Sequence, residues 1–192
     1  MSDADKWNRR YLDAQVGDSR PVQVLSDYAH LLPTHGAALD LACGLGANAL
    51  LLAARGLDTV AWDISTVAVG KLNHHAQGHD LPLRAEVRDL PRHPPAENHF
   101  DVIVVGRYLE RSLCPAITAA LKPGGLLYYQ TYTRSQVHPG GPSNPAFRLA
   151  RNELLYLFAE LEVVAYREED TLGDTARGLR DEAWLVAQRP MV

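Results

Sequence analysis

The chain is poor in cysteine, in phenylalanine and in positive charge. Two cysteines among 192 residues, Cys43 and Cys114, cannot build a disulfide framework, and a reducing cytoplasm is the compartment this usage predicts. A net charge of −4 at pH 7 leaves no general basic excess for gripping phosphates, so no nucleic-acid partner is expected. No clean apolar run is long enough to span a bilayer. The most apolar stretch, 36–56, is broken by Asp40, Asn48, Arg55 and several glycines, and no membrane association is expected. The first residues, Met1 to Trp7, are polar and lack the apolar centre of a secretion signal. Internal repeats and low-complexity tracts are absent. His74, His75 and His79 have no cysteine or acid to complete a metal set, and adjacent histidines on a helix point apart, so no metal is expected.

What is present is enough for one domain over 1–192. Hydrophobic residues make up 46%, enough for a sizeable core in a chain of this length. The most informative stretch runs from Ala37 to Ala49. An apolar segment leads to Asp40, then to the turn Ala42-Cys43-Gly44-Leu45-Gly46, then to a helix-forming run. A strand feeding a tight glycine turn that opens a helix brings bare backbone N–H groups to a ligand.

Alternation along the rest of the chain predicts strands near 37–41, 58–62, 83–88, 100–105, 125–131, 161–166 and 182–188. Helices are expected over 3–14, 20–32, 46–55, 65–77, 114–121 and 151–160. Residues 39–42 and 102–105 are almost uninterrupted apolar runs, as in strands buried on both faces. The fold class is therefore α/β, a Rossmann-like, doubly wound, mostly parallel seven-stranded sheet. Its last strand is antiparallel, because the polar link 168–180 carries no helix. Residues 1–33 form an N-terminal helical cap, and the Pro/Gly-rich excursion 134–151 is a candidate lid.

Ligands of such sheets sit beyond the carboxyl ends of the strands, where the strand order reverses. Asp40, Asp63 and Asp89 end the first three strands, and Gly106-Arg107-Tyr108 follows the fourth. Gly44, Gly46 and Ala49 satisfy a dinucleotide fingerprint, with Asp63 near the ribose-binding position. A nicotinamide oxidoreductase is thus one reading. Charge opposes it: a pyrophosphate about 4 Å from Asp40 would cost about 4 kcal/mol at an effective dielectric of ~20. A nucleoside carrying positive charge would be welcomed, through a water or backbone relay. A non-catalytic binding module is the other alternative. Each aspartate taken singly also fits a helix cap or turn acid, and Cys43 fits a small buried residue.

The phrases Asp40-Leu41-Ala42-Cys43-Gly44-Leu45-Gly46, Asp63-Ile64-Ser65, Asp89-Leu90, Phe100-Asp101-Val102-Ile103 and Leu121-Lys122-Pro123-Gly124-Gly125 occur in one order over 37–131. In this the chain resembles class I S-adenosylmethionine-dependent methyltransferases. Trp7-Asn8-Arg9-Arg10-Tyr11 and Arg107-Tyr108-Leu109-Glu110-Arg111 are similar to a small bacterial subgroup related to tellurite-resistance and thiopurine-type enzymes. The glycine turn departs from the commonest family spelling in having Ala42-Cys43 before its glycines. The resemblance implies S-adenosylmethionine as cofactor and a small-molecule methyl acceptor such as a chalcogen oxyanion or a thiol. It implies that Gly44 and Gly46, with Asp40, Ala42, Cys43 and Asn48 around them, let backbone approach the methionine and ribose. Asp63 with Ile64 and Ser65 would take the ribose hydroxyls, and Asp89 with Leu90 the adenine. Val105 and Gly106 would form the floor, and Arg10 or Tyr11 would hold the methionine carboxylate. Arg107 and Arg111, four residues apart, are candidates to position the acceptor, with Arg148 as a third. Tyr108, Tyr132 or His138 are candidates to take a proton from it.

Overall fold

The computed structural model describes residues 2–191. It opens with α1 (Asp3–Tyr11), a helix with both ends chemically finished. Ser2 Oγ accepts the Asp5 N–H and the Asp5 carboxylate accepts the Ser2 N–H. Asp3 and Asp5 lie in its first turn and Arg9 and Arg10 in its last, complementing the helix dipole. None of its residues is buried. It ends at Tyr11, short of the expected 14.

The helix expected over 20–32 is instead α2 (Gln23–Asp27) followed by a 3₁₀ turn, Ala29–Leu31. Pro21 has no N–H, and the N–H groups of Val22 and Val24 go to the side chains of Asn48 and Gln130. The segment therefore enters extended and forms little more than one helical turn.

The sheet comprises β1 (Ala37–Leu41), β2 (Asp58–Asp63), β3 (Leu83–Val87), β4 (Phe100–Gly106), β5 (Leu121–Tyr132), β6 (Glu162–Arg167) and β7 (Glu182–Gln188), in the order β3-β2-β1-β4-β5-β7-β6. The first five strands are parallel, and β7 runs antiparallel between β5 and β6, as expected. β5 starts earlier than predicted because Leu121 already pairs with Phe100 before the Lys122–Gly125 kink. The helices are α3 (Ala47–Ala54), α4 (Thr66–Gly78), α5 (Cys114–Ala120) and α6 (Glu153–Leu157). The last is a short remnant of the helix expected over 151–160.

Alternation explains the apolar runs. Leu39, Leu41, Ile103 and Val105 face a core completed by Ile117, Leu154 and Phe158 from α5, α6 and the residue after α6. Ala38, Val102 and Val104 face the opposite way, onto Val24, Leu25 and Leu52 of α2 and α3. Leu72 and Val69 of α4 close the same side over Ala61 and Ala85. Strands coated on both faces need apolar residues at every position. Asp40 is the exception within β1, and it is wholly buried.

The N–H of Ala37 and the Nζ of Lys122 both donate to Asp101 Oδ2, at 2.8 and 2.7 Å. This staple joins β1, β4 and β5 at their amino ends. The Phe100-Asp101 and Lys122-Pro123 phrases thus serve the fold at the edge opposite the carboxyl ends.

Candidate active site

The strand order reverses between β1 and β4, and the carboxyl ends of β1, β2, β3 and β4 meet at one edge. There the turn after β1 needs unusual backbone. Ala42, Gly44 and Gly46 have φ of +58, +53 and +79°. A side chain on Gly44 would strike the hydroxyl of Tyr11, 2.6 Å from the added carbon. The loop therefore shows bare backbone outward.

Asp40 does not stand at the mouth of this loop. Its carboxylate points inward, accepting from Asn48 Nδ2 at 3.1 Å and from the Ala49 N–H at 3.0 Å, and so caps α3 from below. Burial pushes its carboxyl up to about 7, against the lowering effect of those two bonds. A fully enclosed acid cannot select ligand charge at the surface, so Asp40 does not set the charge preference expected of it. Its place is taken by Asp63, only 7% exposed but at the sheet edge. Asp63 accepts the N–H of Gly44 and of Ser65, each at 2.8 Å, locking the glycine turn to the start of α4. Burial raises its carboxyl above the ordinary range, and the backbone donors partly offset this.

The other residues expected around a cofactor converge on the same edge. Ser65 Oγ caps α4 through the Ala68 N–H. Asp89 follows β3, faces Arg92 at 3.4 Å and stays partly exposed. Leu90 and Val105 are buried, so their side chains are withdrawn from this edge's surface. A side chain on Gly106 would meet Val22 Cγ1 at 2.8 Å and Asn48 Nδ2 at 3.1 Å. Cys43 is buried with its thiol pushed upward by desolvation, then by Asp40 and Asp63, which suits an inert residue rather than a nucleophile. Tyr11 lies over Gly44. Arg10 sits outside it, its guanidinium 5.6 Å from the Trp7 ring.

The candidate acceptor residues have different fates. Arg107 has a left-handed backbone (φ +55°), and its Nε donates to Glu182 Oε1 at 3.0 Å with half the side chain exposed. Arg111 is a strut: it binds both Glu153 oxygens at 2.6 and 3.0 Å and the carbonyls of Ala146 and Arg148. Arg148 is buried and spends its guanidinium on the carbonyls of Thr133, Gly140 and Pro142, pinning the 134–151 excursion. Tyr108 is half-buried, and desolvation, then Glu110 and Asp89, push its phenol up to about 12, the wrong direction for a base at neutral pH. His138 Nδ1 lies 2.8 Å from Asp181 Oδ2, leaving Nε2 outward.

Two buried amides that the sequence reading left without their structural roles organise this edge. Asn48 links the Val22 N–H to Asp40. Gln130 links the Val24 N–H to Glu182, and through it to Arg107. Neither has a local sequence signal, because the partners are far apart in the chain.

Two cavities are lined by neither the glycine turn nor the three aspartates. One of about 210 Å³ rests against Trp62, Arg84, Glu86, Arg88 and His99, and one of about 320 Å³ lies beside Lys71, His74, His75 and His79. Among the described residues no group of three or more His, Cys, Asp or Glu is placed to hold a metal. No helix among them is long and apolar enough to cross a membrane.

Residues 38–125, which hold the glycine turn, Asp63, Asp89 and the start of β5, match the family described as "Methyltransferase domain". Over these residues the chain thus carries a methyltransferase domain. Its likeness to TehB from Haemophilus influenzae has a TM-score of 0.71 at 22% identity, over 97% of this chain and 66% of that chain. An S-adenosylmethionine-dependent methyltransferase from Mesorhizobium loti aligns with a TM-score of 0.66 at 18% identity, over 85% of this chain and 96% of that one. Hemagglutinin 1 of Eikenella corrodens is 31% identical over 138 residues, 68% of this chain and 45% of that protein. The chain thus spans under half the length of that curated relative. Its carboxyl edge brings together a left-handed glycine turn, a carboxylate at the end of β2 that accepts the Gly44 N–H, and a second acid after β3.

Proposed function

We propose that this chain transfers the methyl group of S-adenosylmethionine to a small, soft acceptor, a thiol before an oxyanion. The observation that carries this reading is the carboxyl edge itself, where the bare turn at Gly44 is tied to Asp63 and flanked by Asp89. Asp63 would take the ribose hydroxyls, since one carboxylate accepts two. Asp89 and the backbone at Leu90 would meet the adenine. Gly44, Gly46 and the backbone of Ala42, Cys43 and Gly106 would line the remainder, and Tyr11 or Arg10 would approach the methionine carboxylate.

When bound, the cofactor supplies an electrophilic methyl already activated by a sulfonium. The chain then has to align an acceptor, exclude water and take a proton where one is released. Orientation alone is worth ~7–11 kcal/mol in well-positioned reactions. Of three candidate arginines, Arg111 and Arg148 are fully committed to carbonyls and Glu153. Arg107 keeps exposed donors, but Glu182 neutralises much of its charge. An oxyanion would meet little net positive potential here, which favours a neutral soft nucleophile.

The test is direct. Calorimetry with S-adenosylhomocysteine should give saturable binding. Labelled S-adenosylmethionine offered with aromatic thiols, selenite, tellurite, phenols and RNA should deliver label to the thiols first. Binding without transfer to any acceptor favours a non-catalytic module, binding of NADH instead favours an oxidoreductase, and label in RNA overturns the acceptor class.

A further inference from the structure

Helix α1 is joined to the body by an unusual attachment. None of its side chains is fully buried, Trp7, Asn8 and Tyr11 being half-buried, and its caps and charge placement stabilise it from within. Two polar clasps hold it against α4. At one, Asn8 Oδ1 accepts from Ser65 Oγ at 2.7 Å, and the Thr66 hydroxyl and Val67 N–H lie at 3.4 and 3.3 Å. At the other, Lys71 Nζ donates to the carbonyls of Tyr11, Leu12 and Ala14 at 2.8, 2.7 and 2.7 Å. All three donors of one ammonium are thus spent on the carbonyls at and just past the end of α1, where the helix dipole is negative. The result of both clasps is to seat Tyr11 over Gly44.

We propose that α1 is a hinged cover of the cofactor site and that Lys71 is the positioning residue that latches it shut. The proposal rests on the methyl-transfer reading only in naming what lies beneath the cover. Several features support movement about the segment 12–22. The aromatic side chains of α1, Trp7 and Tyr11, are only half-buried, so opening exposes limited apolar surface. Gly17, at φ +99° with open space around it, sits in the connecting turn. Val16 of that turn packs against the core under α4, and a cavity of about 320 Å³ lies beside it against Gln15 and Lys71. A ligand reaching the backbone of Gly44 must displace Tyr11, so entry and exit require the clasps to release. Lys71 acts through α1 and touches no reacting atom.

The test compares Lys71→Met, Lys71→Arg and Asn8→Ala with wild type. Trypsin cleavage after Arg9 and Arg10 reads the open state, and stopped-flow dissociation of S-adenosylhomocysteine reads residence time. Charge-assisted hydrogen bonds are strong enough that losing three should raise both rates in Lys71→Met about tenfold or more. Lys71→Arg should recover part of the effect, Asn8→Ala should show a smaller one, and cleavage elsewhere and thermal unfolding should stay close to wild type. S-adenosylhomocysteine should slow cleavage at Arg9 and Arg10 in wild type. Rates of Lys71→Met within twofold of wild type in both assays overturn the latch, as does faster cleavage spread evenly over the chain. If wild type binds no S-adenosylhomocysteine, the methyl-transfer reading falls, and cleavage at Arg9 and Arg10 still decides whether Lys71 holds α1.

Discussion

The Val24 N–H donates to Gln130 Oε1 at 2.9 Å, joining residues 106 positions apart. Gln130 is 2% exposed, and its amide nitrogen reaches Glu182, which in turn receives Arg107. One amide therefore fixes the N-terminal segment, the end of β5 and, through Glu182, the guanidinium of Arg107. Gln130→Leu leaves a buried N–H without an acceptor and frees Glu182. A loss of about 1–3 kcal/mol is expected, read by urea unfolding. Turnover should fall as well, because Arg107 loses the partner that orients its neighbour.

Asp63 has a double duty that bears on how it is tested. Its two oxygens already hold the Gly44 and Ser65 N–H groups, so removal of the carboxylate disturbs the turn as well as any ribose contact. Asp63→Asn keeps one acceptor and the shape. Its affinity for S-adenosylhomocysteine should fall at least about tenfold, while stability drops by about 1–2 kcal/mol. Calorimetry and thermal unfolding of the same sample separate the two effects. Unchanged affinity removes Asp63 from the cofactor.

Arg111 is expected to matter for folding and not for cofactor affinity. Its fork meets Glu153 at 2.6 and 3.0 Å, and the Arg111 bonds hold the Glu153 carboxyl below its ordinary range, with burial opposing. A double-mutant cycle of Arg111→Ala and Glu153→Ala should give a coupling of about 0.5–3 kcal/mol in urea unfolding. The partly exposed setting places it toward the lower end. S-adenosylhomocysteine binding should be unchanged in both single variants. A large loss of affinity in Arg111→Ala alone would return it to the ligand site.

Much of this molecule is legible in order of chain. The strands at 37–41 and 182–188 and the antiparallel return of β7 follow from apolar periodicity and a helix-free link. The glycine turn and the acids ending three strands likewise mark the ligand edge. Side-chain direction is what the chain alone withholds. Period-two alternation places Asp40 on the face that meets α3, yet the same position reads equally well as a loop acid until α3 is docked. Arg107, Arg111 and Arg148 look alike in sequence, and only distant partners such as Glu182, Glu153 and the Thr133 carbonyl separate the open one from the two struts. Lys71 carries no signal, since a lysine on a helix is ordinary, and Asn8 stands out only as part of the Trp7–Tyr11 phrase, which does not name its partners on α4. The short α2 has a similar cause: its leading N–H groups are claimed by Asn48 and Gln130, which lie outside any local window.

The buried Asp40 makes a pH signature. Its folded-state carboxyl titrates near 7, far above the ordinary value of 3.8, mainly because burial penalises the charge. The folded chain therefore keeps a proton that the unfolded chain releases. Stability from this group is complete below about pH 4 and is lost as pH rises toward 7, with a slope of at most about 1.4 kcal/mol per pH unit. Asp63, shifted upward as well, adds in the same direction. The lowered carboxyls of Asp101, Asp181 and Glu153 act oppositely and at more acid pH, outside this window. Unfolding free energy from urea titrations at pH 5, 6, 7 and 8 should thus decline in wild type. Asp40→Asn should flatten that decline without abolishing it. It should also lower stability at pH 5 by about 1–3 kcal/mol, because its amide sets a donor against either Asn48 Nδ2 or the Ala49 N–H. Equal pH slopes in the two proteins would mean that Asp40 stays ionised inside the fold, with the cap on α3 supplying enough compensation to hold a full charge there.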